Sequence, residues 1–212
     1  TEIAKRYAPL TKHAGRLAID LNIVERYQDV YPTRQQTGTE LLQLVHAASA
    51  AFQRVALYFE NSILAPDVPL LPAAAAAVSK VEAIGDTLAV TSGHSVRVAW
   101  KGPALVDGLP WAAADSDSVL IPAGTHVIGP AESAPDVRLL DLNADIISAR
   151  SFAGGVEFAY KSSARALAIV DAPVSTIEID GEAAPADAIT WDGKRSVVPL
   201  PRGQHIVRLE CR

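Results

Sequence analysis

The sequence contains no methionine and a single cysteine. Cys211 has no second thiol to pair with, which excludes an internal disulfide and a cysteine metal site, and its place beside the C-terminus marks it as incidental rather than as a nucleophile. Excess positive charge is lacking too. Lys and Arg number 19 against 24 Asp and Glu, for a net charge of −5, so neither nucleic acid nor an anionic membrane surface has a basic stripe to bind. The longest apolar run, from Leu70 to Val78, falls far short of the roughly 20 residues that span a bilayer. No Gly-rich phosphate loop follows a strand, no GxSxG elbow occurs, and neither His-Glu-x-x-His nor paired-cysteine spacing exists. No cofactor and no metal is expected. What remains, 212 residues at 49% hydrophobic and 20% charged, suits a globular protein of one or two domains. Opening at Thr1 inside a helical pattern, without a leader, the chain is expected to follow an upstream segment.

The stretch from Arg16 to Ile63 has the pattern of one strand, helix, strand unit. RLAIDLNIV and RVALYFENSI have strand character, and TELLQLVHAASAAF between them has helical character. Thr37 and Glu40 have capping-box spacing at the helix start, and a parallel crossover is the expected result. Side chains two apart share a strand face, so Leu17, Ile19, Leu21 and Ile23 form a row that can pack under the helix. The opposite row runs Ala18, Asp20, Asn22 and Val24, and its counterpart is Ala56, Tyr58, Glu60 and Ser62. Both rows end polar, as where a parallel sheet or barrel opens a site at its C-terminal strand ends. The plainer alternative is that Asp20 and Asn22 anchor loop backbone. Upstream, Ile3, Tyr7 and Leu10 suggest a helix over residues 1–14, kinked by Pro9 and capped by Gly15.

Three prolines in APDVPLLP mark a connection, and Ala73 to Lys80 is expected to form a short helix. From Val81 onward short alternating apolar runs are separated by Gly, Pro and Asp, which is the texture of an all-β domain. Within it lies a repeat. In each copy a strand pair leads to a hydrophobic residue, Asp and Gly, and then to a strand ending at Pro-x-Gly-x-His. The matched positions are Asp107 and Gly108 with Asp180 and Gly181, and Pro122, Gly124 and His126 with Pro201, Gly203 and His205. At about 50 to 60 residues each, the copies are expected to build one sandwich of about eight to ten strands. The Asp-Gly pairs are hairpin chemistry, and each repeated histidine is expected to close its preceding loop through a backbone hydrogen bond rather than to bind metal. His13, His46 and His94 have no recognisable acid or nucleophile partner by spacing, and Gly154 with Gly155 has the character of a hairpin turn.

Taken in order, the strand with Asp20 and Asn22, the helix, the strand ending YFENS and the β region with Val-Asp-Gly turns resemble the end of bacterial (β/α)8 glycoside hydrolases. That resemblance implies residues 1–72 as the last strand-helix-strand portion of a TIM-barrel-like α/β domain, with its N-terminal barrel portion missing from this chain. It implies residues 81–212 as an appended antiparallel β-sandwich. A carbohydrate substrate or ligand follows, with Asp20 nearest to the carboxylate of the seventh barrel strand. Glycoside cleavage uses two carboxyl groups about 5 to 10 Å apart, and Asp20 with Glu60 is the available pair. Asn22 and Tyr58 are then placed to orient them or bind hydroxyls. Arg34, in the loop from Arg26 to Gln36, and Trp111, whose flat face suits a sugar ring, complete the candidate site. Core or rim packing is the alternative for Trp100, Trp111 and Trp191. A function of another class also fits: a non-catalytic carbohydrate- or protein-binding β-sandwich module.

Overall fold

The computed structural model describes residues 18–25, 34–49, 52, 54–58 and 63–212. The expected helix over residues 1–14, the loop residues 26–33 and Glu60 lie outside them. The chain divides into two compact units, Thr1–Val78 and Ser79–Arg212.

In the first unit, β1 (Ala18–Asn22) is followed by the short antiparallel pair β2 (Val24–Glu25) and β3 (Arg34–Gln35), helix α1 (Thr39–Ser49) and β4 (Arg54–Tyr58). β1 pairs with β4 in parallel, with Ala18 opposite Arg54 and Asn22 opposite Tyr58. Leu41, Val45 and Ala48 recur at helical spacing on one face of α1 and are buried against Leu21 and Ile23 of the strand segment. Asp67, itself buried, accepts the Gly38 amide at 2.8 Å just before α1, while Glu40 in the first turn pairs with Arg34. A 3₁₀ turn over Val68–Leu70 leads into α2 (Leu71–Ala75), with Pro72 in its first turn, where a missing amide costs nothing.

The barrel expectation is overturned here. β1 and β4 make a two-stranded sheet that no other described strand joins, and every other pairing among the described residues is antiparallel. Strand accounts for 52% of the described residues, and the described helices are two and short. A (β/α)8 wall needs each parallel strand hydrogen-bonded on both sides around a closed circuit, and β1 and β4 are each paired on one side only among the described strands.

The second unit is a tandem of similar β folds. The first copy runs β5 (Lys80–Ile84), β6 (Thr87–Ser92), β7 (Val96–Ala99), β8 (Ala104–Val106), β9 (Leu109–Pro110), β10 (Ser118–Ile121) and β11 (Gly124–Pro130). The second runs β12 (Leu139–Leu142), β13 (Asp145–Phe152), β14 (Gly155–Ser162), β15 (Ala166–Val170), β16 (Val174–Ile179), β17 (Glu182–Ala183), β18 (Thr190–Trp191), β19 (Ser196–Leu200) and β20 (Gly203–Cys211). One five-stranded sheet has the order β5-β6-β11-β8-β9 and the other β13-β14-β20-β16-β17, so the same crossover recurs. The smaller sheet is β10-β7 in the first copy and β12-β15-β19-β18 in the second. The β-sandwich-like content fits the expectation, but β5 to β20 outnumber the eight to ten strands expected of one sandwich, and each sheet draws on one copy. Tight hairpins supply the reason: neighbours in sequence pair before a distant copy can compete, and loop closure favours the shorter connection.

Alternation decides the faces. In the second copy Val156, Phe158 and Tyr160 of β14 and Val207 and Leu209 of β20 are buried, with exposed or half-buried residues between them. In the first copy the matching inner row carries smaller groups, with Leu88 and Val90 where the second has Phe158 and Tyr160. Arg97 ties the copies together. Its guanidinium donates to Asp115 at 3.1 Å and Ser118 at 2.9 Å within its own copy, and to the Leu140 carbonyl at 2.7 Å and Asp141 at 3.0 Å in the next.

Candidate functional site

Of the residues singled out in the sequence, those among the described residues have definite places. Asp20 and Asn22 lie on the exposed row of β1, and Asn22 accepts the Val24 amide at 3.0 Å through its side chain. Tyr58, 49% exposed, is in register with Asn22, whereas Asp20 is in register with Ala56. Asn22 and Tyr58 are thus brought side by side, and Glu60 is outside the described residues. Arg34 pairs with Glu40. Trp111 belongs to the second unit, where it is buried and its indole N–H donates to the Leu120 carbonyl at 2.8 Å. Trp100 is half-buried and Trp191 exposed, on separate copies.

A repeated constellation stands out instead. Asp107 and Gly108 have φ of 52° and 79°, and Asp180 and Gly181 have 55° and 83°, so both central turn positions are left-handed, as a type I′ hairpin requires. Each aspartate reaches across to the strand that carries the motif histidine. Asp107 Oδ2 meets His126 Nδ1 at 2.7 Å and its Oδ1 accepts the Val127 amide at 2.9 Å. Asp180 does the same with His205 at 2.7 Å and the Ile206 amide at 2.9 Å. The other ring nitrogen faces a carbonyl three residues back, Ala123 at 3.1 Å or Arg202 at 3.0 Å.

This geometry accounts for the Pro-x-Gly-x-His spacing. The residue after Pro supplies the carbonyl, and the imidazole folds back over the glycine. A Cβ at Gly203 would stand 2.7 Å from His205 Nε2, and one at Gly124 would stand 3.3 Å from His126 Nε2, at φ of +126° and +118°. The aspartate partner was not singled out from sequence, where Asp107 and Asp180 have only turn character. They lie 19 and 25 residues from their histidines, and the signal available was the joint recurrence of Asp-Gly and His in both copies.

Electrostatics makes the clamp self-sufficient. The Ile206 amide and then the His205 ring hold the Asp180 carboxyl below the usual value. Burial pushes Asp107 upward, and the hydrogen bonds from His126 and the Val127 amide outweigh it, leaving that carboxyl lowered. The Asp180 carboxylate, then the Arg202 carbonyl, raise His205. Both ring nitrogens and both carboxylate oxygens of each clamp are thus engaged within it. Beside the second clamp is an open hollow of about 440 Å³ lined by Ile179, Asp180, Glu182, Ala183, Ala184, Pro185 and His205. Burial and then Asp171 push the Cys211 thiol up to about 11, which leaves it inert near neutral pH. Among the described residues no group of three or more His, Cys, Asp or Glu could hold a metal ion, and no helix is long and apolar enough to cross a membrane.

The second feature is a difference between the copies. Val81 is opposite Val90, which is opposite His126; Ile146 is opposite Tyr160, which is opposite His205, so Val81 and Ile146 are equivalent. By the same register Ala83 is equivalent to Ala149. Ile146 is 2% exposed and Ala149 3%, while Val81 is 60% exposed and all of β5 is exposed. The second copy covers its edge with β12, and with Ala112 of the first copy, whose carbonyl accepts the Leu139 amide at 2.9 Å. Among the described residues no such cover lies over β5.

Compared with known proteins, the chain matches no family model, no curated protein and no solved structure. The resemblance to glycoside hydrolases is corrected accordingly. Its support was an order of elements, the described residues form a β-rich fold with antiparallel sheets in which no barrel portion is seen, and nothing in the comparisons supports hydrolase or carbohydrate activity.

Proposed function

We propose that this chain is a non-catalytic protein-binding module in which a tandem of β folds presents the edge strand β5 to a partner. One observation carries the reading. The same inner-face positions that the second copy buries, Ile146 and Ala149, are left open in the first as Val81 and Ala83. A cluster of apolar side chains at a sheet edge costs solubility and invites pairing, so a fold that covers it in one copy and leaves it open in the other has a use for it. The Asp-His clamps support the reading by serving as internal braces, since their polar atoms are spent on one another and on backbone.

The experiment is site-specific capture. A photo-crosslinking amino acid at Val81 in the full chain should join a discrete protein, and one at Thr176, exposed on the second copy, should not. The same chain should pass polysaccharide columns unretained. Retention on polysaccharide with no crosslink at Val81 would overturn the proposal.

A further inference from the structure

Resting on that protein-binding reading, we infer what the open edge receives: an extended strand of a partner polypeptide, added antiparallel to β7 where the second copy has β12. The free edge of β7 is defined by its hydrogen bonding. Among the described residues β7 pairs only with β10, in register Val96 to Ile121 and Ala99 to Ser118. Arg97 faces Leu120, but the Leu120 amide donates to Ala113 at 2.9 Å and its carbonyl accepts the Trp111 indole, so both of its main-chain groups point away from β7. Ser118 likewise donates its amide to Asp115 Oδ1 at 2.7 Å, and its carbonyl accepts the Asp115 amide at 2.9 Å. Those are non-hydrogen-bonded pairs, which turns the main-chain N–H and C=O of Arg97 and Ala99 toward the other edge.

The second copy shows that edge filled. Ala166 lies opposite Leu200 just before its Pro-x-Gly-x-His motif, as Val96 lies opposite Ile121, so Leu167 is the counterpart of Arg97. Leu167 donates its amide to Asn143 Oδ1 at 2.6 Å and accepts the Asn143 amide at 3.2 Å, and β12 continues along β15 from there. Leu139 and Leu142 of β12 are 0% and 5% exposed. The occupant is therefore an extended segment with apolar side chains three apart, and its main chain satisfies Arg97 and Ala99. Its apolar groups would cover Val81 and Ala83, as the second copy covers Ile146 and Ala149. At the Ser95 end of β7 the second copy is already in place, with the Ser95 hydroxyl donating to the Ile146 carbonyl at 3.3 Å, so the added strand spans Arg97 to Trp100 and enters at the Trp100 end.

The test uses the full chain and a labelled synthetic peptide with the sequence of residues 136–145, DVRLLDLNAD, which contains β12. Fluorescence anisotropy should show saturable binding, and amide exchange at Arg97 and Ala99 should slow when the peptide is present. Ala99→Pro removes one edge amide at an exposed site that tolerates proline, and Val81→Lys puts a charge on the open face. Each should weaken binding by about tenfold or more while leaving the melting temperature unchanged. No saturable binding, equal binding in both variants, or protection on β15 instead of β7 would overturn the inference. Concentration-dependent dimers lost in Ala99→Pro would identify a second copy of this chain as the occupant and overturn the assignment to a different partner. A crosslink at Val81 without peptide binding would reject strand addition and leave the protein-binding reading standing.

Discussion

The two β copies share a strand order, a hairpin and a clamp, yet they differ in how much they enclose. The second buries Phe158 and Tyr160 completely, and Tyr160 donates its hydroxyl to the Pro201 carbonyl at 2.6 Å, with burial and then Asp180 pushing that phenol up to about 12. The first has Leu88 and Val90 in those places and a two-stranded second sheet. A framework of turns and clamps can thus be repeated with little change while the core beneath it is thickened or left open. The framework depends on a few backbone-directed groups, and the core depends on total apolar volume.

The largest test of this contrast is truncation of the inner row. Phe158→Ala should cost about 3–5 kcal/mol in denaturant unfolding, because a fully buried ring leaves a cavity, whereas Leu88→Ala, at the half-buried equivalent position, should cost less than about half of that. Equal losses would show that the copies are equally enclosed.

Arg97 tests whether the copies unfold together. Its side chain is 29% exposed and bonds to both copies, so Arg97→Ala should remove about 1–3 kcal/mol and separate a single unfolding transition into two. A single transition at unchanged midpoint would show that the interface around Ala112 suffices without it.

A smaller effect separates the two clamps. Gly203→Ala should destabilise by about 1 kcal/mol or more, since positive φ and the nearby imidazole both oppose a Cβ, and Gly124→Ala should cost less because its histidine stands farther off. Thermal melts of the two variants side by side give the order directly.

Acidity gives the smallest expected change. His205 is raised in the fold, so its contribution is fully present below its unfolded value of about 6.5 and fades as pH rises through the higher folded value. Asp180 is lowered, so its contribution is present above about 3.8 and fades as pH falls through the lower folded value. Relative to the parent, His205→Asn should therefore show its largest drop in melting temperature between about pH 4 and 6.5 and a shrinking one toward pH 8. A pH-independent difference would show that the imidazole acts by shape alone.

The repeat, the positive-φ turns at Asp107 and Asp180 and the backbone closure by His126 and His205 were legible because each is encoded within a few residues. Asp-Gly carries its own turn, and a glycine two residues before a histidine leaves room for the ring to fold back. The helix α1 was equally local, with Leu41, Val45 and Ala48 on one face. The barrel was misread for the complementary reason. Parity along Asp20 to Asn22 and Ala56 to Tyr58 describes two strands and their helix, and it is the same whether a sheet closes around eight strands or stops at two. Which aspartate meets which histidine depended on β11 inserting between β6 and β8 and β20 between β14 and β16, and the exposure of Val81 against the burial of Ile146 depended on whether another segment arrived to cover it. Local chemistry set the turns and faces of this protein. Pairing over tens of residues, whose closure entropy no short motif records, decided which edges were filled and which were left open.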